Sequence, residues 1–312
     1  MKKPLLLLIF AIDALLILGY LGGSYYFSGV MINRETQTLA DGAASMRAVL
    51  GDVDLPPPET VAIPAGEVTL AGYFYENELN GRCAVILLHG YTGTRYGSLQ
   101  YAPLFWERGC DLLAYDARGH GDSTATYHTY GYHEKQDAKA AFDWLRERSG
   151  LPPGQIGLTG VSYGAATSLQ AAPLLPEAAF IIADSAYQDM RTIISYQAGE
   201  QFGPWVRLLV PGAFLFAELR ADFSASAVSP QTAVAQTTTP ILLIHAREDS
   251  FTPPNHSEAI YRQSNPATTQ LQITNWGARH GMSIIEDEAA YAALVENFLQ
   301  RFTPDFGLRD GR

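Results

Sequence analysis

Ser162 sits in "GVSYG", residues 160–164, between the apolar run "QIGL" and an alanine-rich stretch. A serine hydroxyl attacks a carbonyl carbon when a base takes its proton, and an imidazole does this best when a carboxylate fixes its tautomer. Both partners occur further along, as Asp249 in "HAREDSFTP" (245–253) and His280 in "ARHG" (278–281). Each follows a run of strand-forming residues, and the order is nucleophile, acid, histidine. Gly160 and Gly164 leave room for a strained corner that lifts Ser162 clear of its surroundings. A strand-to-helix corner without chemistry accounts for the same five residues, but leaves Asp249 and His280 unexplained.

Other reactive side chains have competing readings. Asp184, after "FIIA", is an alternative acid, although "EDSFTP" makes the fuller acid loop around Asp249. His89 precedes Gly90 in "HGYTG" and is expected to shape a loop rather than move protons. Arg118 and His120 in "DARGHG" read as turn and hydrogen-bonding residues, and His245 and His256 as supporting or surface groups. "YHEKQ" (132–136) is not HExxH, so it carries no zinc-protease signal. No cofactor or metal motif emerges, and the two cysteines lack CxxC spacing.

The elements that must position these groups alternate along the chain. "TVAIPA" and "VTLAGYFY" read as a strand pair turning at Gly66. Then come "CAVILLHG", "CDLLAYDARGHG", "QIGLTGVSYG", "AAFIIADSAY", "PILLIHARED" and "LQITNWGARHG". Several are continuous aliphatic runs, as strands buried on both faces of a parallel sheet should be. Helix-like stretches separate them; "YHEKQDAKAAFDWLRERSG" ends in basic residues and glycine, a helix-stop pattern. A doubly wound, mostly parallel α/β sheet follows. Ligands bind at the carboxyl ends of such strands, where His89, Asp116, Ser162, Asp184, Asp249 and His280 all fall.

From about residue 60 to 302 the chain resembles a serine hydrolase of the α/β-hydrolase superfamily, in particular the bacterial esterase, lipase and serine-aminopeptidase-like branch. Some members of that branch carry an N-terminal membrane anchor. "HGYTG", "DARGHGDS", "GVSYG", "HAREDSFTP" and "ARHG" carry the resemblance, in that order. It implies Ser162 as nucleophile, Asp249 as acid and His280 as general base. It also implies an oxyanion hole from the backbone N–H groups of Tyr91 and Tyr163, with His89, Gly90, Gly160 and Gly164 in support. The expected activity is cleavage of small-molecule carboxylic esters, with thioesters and amides open to the same machinery. A serine peptidase and a catalytically silent surface binding protein are the alternatives. The segment 195–220, within an insertion at about 186–228, is expected to cap the site, touch a membrane or add core.

The N-terminus differs from the rest. Leu5 to Phe27 holds one charge, Asp13, in 23 residues. As a helix it spans about 34 Å, against a hydrocarbon core of roughly 30 Å. Residues 1–33 therefore read as a transmembrane signal-anchor, with a cleaved signal peptide and a buried core helix as rivals. Lys2 and Lys3 would stay cytoplasmic and the rest would face outward. Residues 34–59, with a short helix and the prolines 56–58, read as a stalk, and 60–312 as the catalytic domain. Cys83 and Cys110 each precede a strand-like run by the same spacing. Either they join at the edge of neighbouring strands, fitting an extracytoplasmic location, or both stay free and buried. The net charge of −11 argues against a nucleic-acid partner.

Overall fold

A computed structural model describes residues 2–51, 53–78 and 82–307. Eight strands form one sheet: β1 (Glu59–Ala65), β2 (Val68–Tyr75), β3 (Ala84–Leu88), β4 (Asp111–Tyr115), β5 (Ile156–Val161), β6 (Ile181–Asp184), β7 (Ile241–Ala246) and β8 (Thr269–Thr274). Their order is β1-β2-β4-β3-β5-β6-β7-β8. The β1–β2 and β2–β4 pairs are antiparallel, and every other pair is parallel. β3 to β7 are buried at every position, which explains why their sequences are aliphatic without alternation.

The first helices are α1 (Lys2–Ile32), α2 (Leu39–Leu50), α3 (Ala102–Trp106), α4 (Glu134–Ser149) and α5 (Tyr163–Ala171). After them come α6 (Met190–Phe202), α7 (Val210–Ala221), α8 (Pro230–Ala233), α9 (Asn255–Gln263), α10 (Ser283–Glu286) and α11 (Glu288–Phe302). α4 stops where its sequence says it should, with Gly150 left-handed at φ 69° and its N–H on the Arg146 carbonyl. One face of the sheet packs on Phe142, Leu145, Leu169 and Ile260, and the other on Phe105, Phe298 and Leu299. Cys83 and Cys110, just before the paired strands β3 and β4, form a disulfide.

α6 and α7 form a cap above the carboxyl ends of the strands. A third apolar cluster fixes it there, with Met190, Ile193 and Phe214 from the cap and Tyr163 and Tyr187 from below. Each such side chain contributes roughly 1.5–3 kcal/mol by burial, so the cap is a packed layer and not a loose flap.

α1 is long and apolar enough to cross a membrane, and residues 3–22 are exposed. Its second part behaves differently. Ser24 Oγ donates to the Leu209 carbonyl, Arg220 reaches Ser28 Oγ at 2.7 Å, and Met31 and Ile32 join the cluster under the cap. Gly212 makes this packing close, since a Cβ there would stand 2.8 Å from Ser24 Cβ. Residues 34–59, which the sequence reads as a stalk, include α2, whose Gly42 lies against Thr94. In the same segment the Gln37 N–H donates to the Thr92 carbonyl at 2.8 Å.

Candidate active site

β5 ends at Val161 and α5 begins at Tyr163, so Ser162 alone makes the corner. Its backbone lies at φ 54° and ψ −111°, a conformation that costs an L-residue roughly 1–3 kcal/mol. Surrounding contacts hold it there. The Ser162 N–H donates to the Asp184 carbonyl at 2.8 Å. A Cβ at Gly160 would stand 2.6 Å from the Gly164 carbonyl carbon, and one at Gly164 would stand 2.7 Å from the His89 carbonyl oxygen. Only glycine lets α5 pass this close to β3 and β5.

His280 lies in the loop between β8 and α10, and its Nδ1 is 2.6 Å from Asp249 Oδ2. Asp249 Oδ1 accepts the Phe251 and Thr252 amides at 2.9 and 2.8 Å. His245 Nε2 stands 3.2 Å from Asp249 Oδ2 and 2.6 Å from the Thr252 carbonyl. A carbonyl only accepts, so His245 carries its proton on Nε2, while Nδ1 faces the Ser257 hydroxyl. Burial pushes the Asp249 carboxyl up, but the hydrogen bonds from His245, His280 and the Thr252 amide outweigh it and hold it well below the usual carboxylate range.

The His280 loop seats on the serine corner. The Gly281 N–H donates to Ser185 Oγ at 3.1 Å, and a Cβ at Gly281 would meet Val161 Cγ2 at 2.8 Å. His280 Nε2 is buried and has no hydrogen-bond partner among the described residues, Ser162 included. In free enzymes such catalytic hydrogen bonds are often long and tighten when substrate arrives. Asp184 takes no part in this pairing. It accepts from Tyr101 Oη at 3.2 Å and Ser185 Oγ at 2.9 Å, and burial raises its pKa.

The Tyr91 and Tyr163 amides have no acceptor among the described residues. Gly90 brings the Tyr91 loop onto the serine, since a Cβ there would stand 3.8 Å from Ser162 Cβ. Several groups pin this loop. His89 Nδ1 donates to the Gly90 carbonyl at 2.8 Å and its Nε2 accepts the Ala117 amide at 2.9 Å. His120 Nε2 accepts the Thr92 amide at 3.2 Å, and burial pushes this imidazole down to about 2. Tyr91 Oη donates to the Met31 carbonyl at 2.8 Å. Asp116 accepts the Arg95 amide and guanidinium, both at 2.6 Å, and Arg118 grips Asp137 through two bonds. "DARGHGDS" thus builds the turn beneath the loop.

His245 and Met31 are the contributions that sequence reasoning did not specify. The sequence reads His245 and His256 as supporting or surface groups, and both are buried. The end of α1 carries no local signal for contact with a residue 60 positions later.

A mostly parallel sheet, with a strained serine corner after its fifth strand and an Asp–His pair from later strand ends, defines an α/β-hydrolase. Residues 31–211 match the X-Pro dipeptidyl-peptidase (S15) family, and the chain belongs to it. The uncharacterized protein YqkD of Bacillus subtilis is 31% identical over 69% of this chain and 70% of its own length. The lysophosphatidylserine lipase ABHD12 of Macaca fascicularis is 28% identical over 62% of this chain and 48% of its own. Among solved structures, the Pyrococcus furiosus esterase Pf2001 superposes with TM-score 0.64 at 25% identity, covering 78% of this chain and 91% of the esterase. The matched family is one of peptidases, the relatives include a lipase and an esterase, and this chain is a serine hydrolase.

Proposed function

We propose that the protein is a membrane-anchored serine esterase in which Ser162 is the nucleophile, His280 the general base and Asp249 the orienting acid. The observation that carries the reading is the 2.6 Å Asp249–His280 pair beside a serine held in a strained corner. Ser162 Oγ bonds to the acyl carbon while its proton passes to His280 Nε2. The Tyr91 and Tyr163 amides receive the oxyanion, each worth roughly 2.7–4 kcal/mol in such sites. His280 then gives the proton to the leaving alcohol. Water, deprotonated by His280, attacks the acyl-enzyme and releases the acid.

Ester cleavage is favoured over removal of dipeptides by the charge of the pocket beside the site. A dipeptidyl-peptidase must hold the substrate ammonium with an anionic group. Among the described residues lining that pocket, Arg34 is the sole charged side chain. The Cys83–Cys110 disulfide supports an oxidising compartment and hence an outward-facing catalytic domain. The packing of residues 24–32 under the cap supports a retained helix over a cleaved one.

Fluorophosphonate labelling of the full chain with peptide mapping tests the mechanism. An adduct at Ser162 that vanishes in Ser162→Ala is expected, and labelling elsewhere or none at all in folded protein defeats it.

A further inference from the structure

The apolar pocket next to the site is built partly from the helix that leads to the membrane. Phe27, Val30 and Met31 line it from α1, Arg34 from just after it, and Phe202 and Val210 from the cap, the Phe27 and Phe202 rings meeting edge to face at 5.0 Å. Its lining also includes Tyr91, next to the Gly90 that approaches Ser162, and the exposed Phe251, whose ring centre is 4.9 Å from that of His280. An acyl chain leaving the carbonyl site in this direction runs between α1 and the cap. Arg34 makes no ion pair among the described residues, and its charge acts on the Tyr91 and Tyr130 hydroxyls. Beside the pocket, the cap exposes Trp205, Leu208, Leu215 and Leu219, continuing the apolar surface of α1.

We propose that the last turns of α1 are the outer wall of the acyl site, and that the site takes a single-chain amphiphile with a negative group, held by Arg34 and drawn from the lipid phase. This rests on the serine-hydrolase reading above. α1 is then a substrate-binding element as well as an anchor. The pocket's apolar surfaces recognise the chain, and the planar guanidinium suits a carboxylate or phosphate through paired hydrogen bonds.

The test uses the full chain in phosphatidylcholine nanodiscs, with p-nitrophenyl acetate and decanoate as substrates. Val30→Trp fills the wall, and the decanoate-to-acetate ratio of kcat/KM should fall by roughly ten-fold. Phe27→Ala opens the same wall and should move the optimum to a longer acyl chain. It decides the matter if Val30→Trp protein is not labelled at Ser162. Decyl phosphate, kept below its micelle concentration, should inhibit p-nitrophenyl butyrate hydrolysis roughly ten-fold more strongly than decyltrimethylammonium. Arg34→Gln should abolish that preference. Chain-length ratios unmoved by both wall variants, or an anion preference that is absent or survives Arg34→Gln, overturn the inference while the labelled serine keeps the hydrolase reading intact. Wild-type protein unlabelled at Ser162 overturns the hydrolase reading and the inference together.

Discussion

Tyr91 Oη donates a 2.8 Å hydrogen bond to the carbonyl of Met31, so α1 ends on the loop whose Gly90 approaches Ser162. The phenol ring also packs on Tyr130 and Tyr163, with centroids at 5.1 and 5.5 Å. Tyr91→Phe keeps the ring and removes the tether, worth about 1 kcal/mol for a neutral hydrogen bond. The rate of fluorophosphonate labelling should drop about five-fold with little change in thermal stability. An unchanged rate would show that the loop holds its place without α1.

Ser162 stores strain that glycine would relieve. Ser162→Gly should raise stability by about 1 kcal/mol while abolishing labelling. Ser162→Ala keeps a Cβ at the same φ and should lose labelling without that gain. Urea unfolding of the two variants compares them directly, and equal midpoints would mean the corner is relaxed.

Asp249→Asn preserves shape but removes the charge facing His280. Turnover of p-nitrophenyl butyrate should fall by roughly 10³–10⁴, because the imidazole loses the tautomer that accepts the serine proton. Steady-state kinetics decide this. A loss below ten-fold would pass the acid role to another carboxylate, with Asp184 next to test.

Four buried imidazoles make stability depend on acid. Burial lowers the pKa values of His89 and His128, pushes His120 down to about 2 and His256 to about 4. The unfolded chain protonates these groups near 6.5, so below that pH it binds more protons than the folded one. Stability is therefore full above about pH 6.5 and falls as pH drops, by up to about 1.4 kcal/mol per unit for each group. Melting temperatures from pH 8 to 5 should stay level and then decline. A level curve down to pH 5 would mean these rings reach solvent.

The Cys83–Cys110 bridge spans a sequence separation of 27 residues. Closing a loop of that size restrains the unfolded chain by roughly 3–4 kcal/mol. Cys110→Ala should lower stability by about 3 kcal/mol, read from chemical denaturation. Wild-type stability that does not respond to reductant would contradict the bridge.

What the sequence determined by itself is local or ordered along the chain. Gly160 and Gly164 around Ser162 announce a tight corner because the backbone there leaves no room for a Cβ. The aliphatic runs of β3 to β7 announce a sheet covered on both faces, and Asp249 and His280 follow strands whose ends must meet. The paired spacing of Cys83 and Cys110 allowed a bridge, and the adjacency of β3 and β4 made one. The acid loop "EDSFTP" already favoured Asp249 over Asp184, and the fold adds the 2.6 Å approach of Asp249 to His280. The second half of α1 was illegible for a physical reason. Apolar side chains bury equally well in lipid and in protein, so hydropathy assigned Phe27, Val30 and Met31 to the membrane. Only the tertiary structure, which sets Ser24 against Leu209 across 185 residues of chain, makes that turn of helix part of a pocket lining.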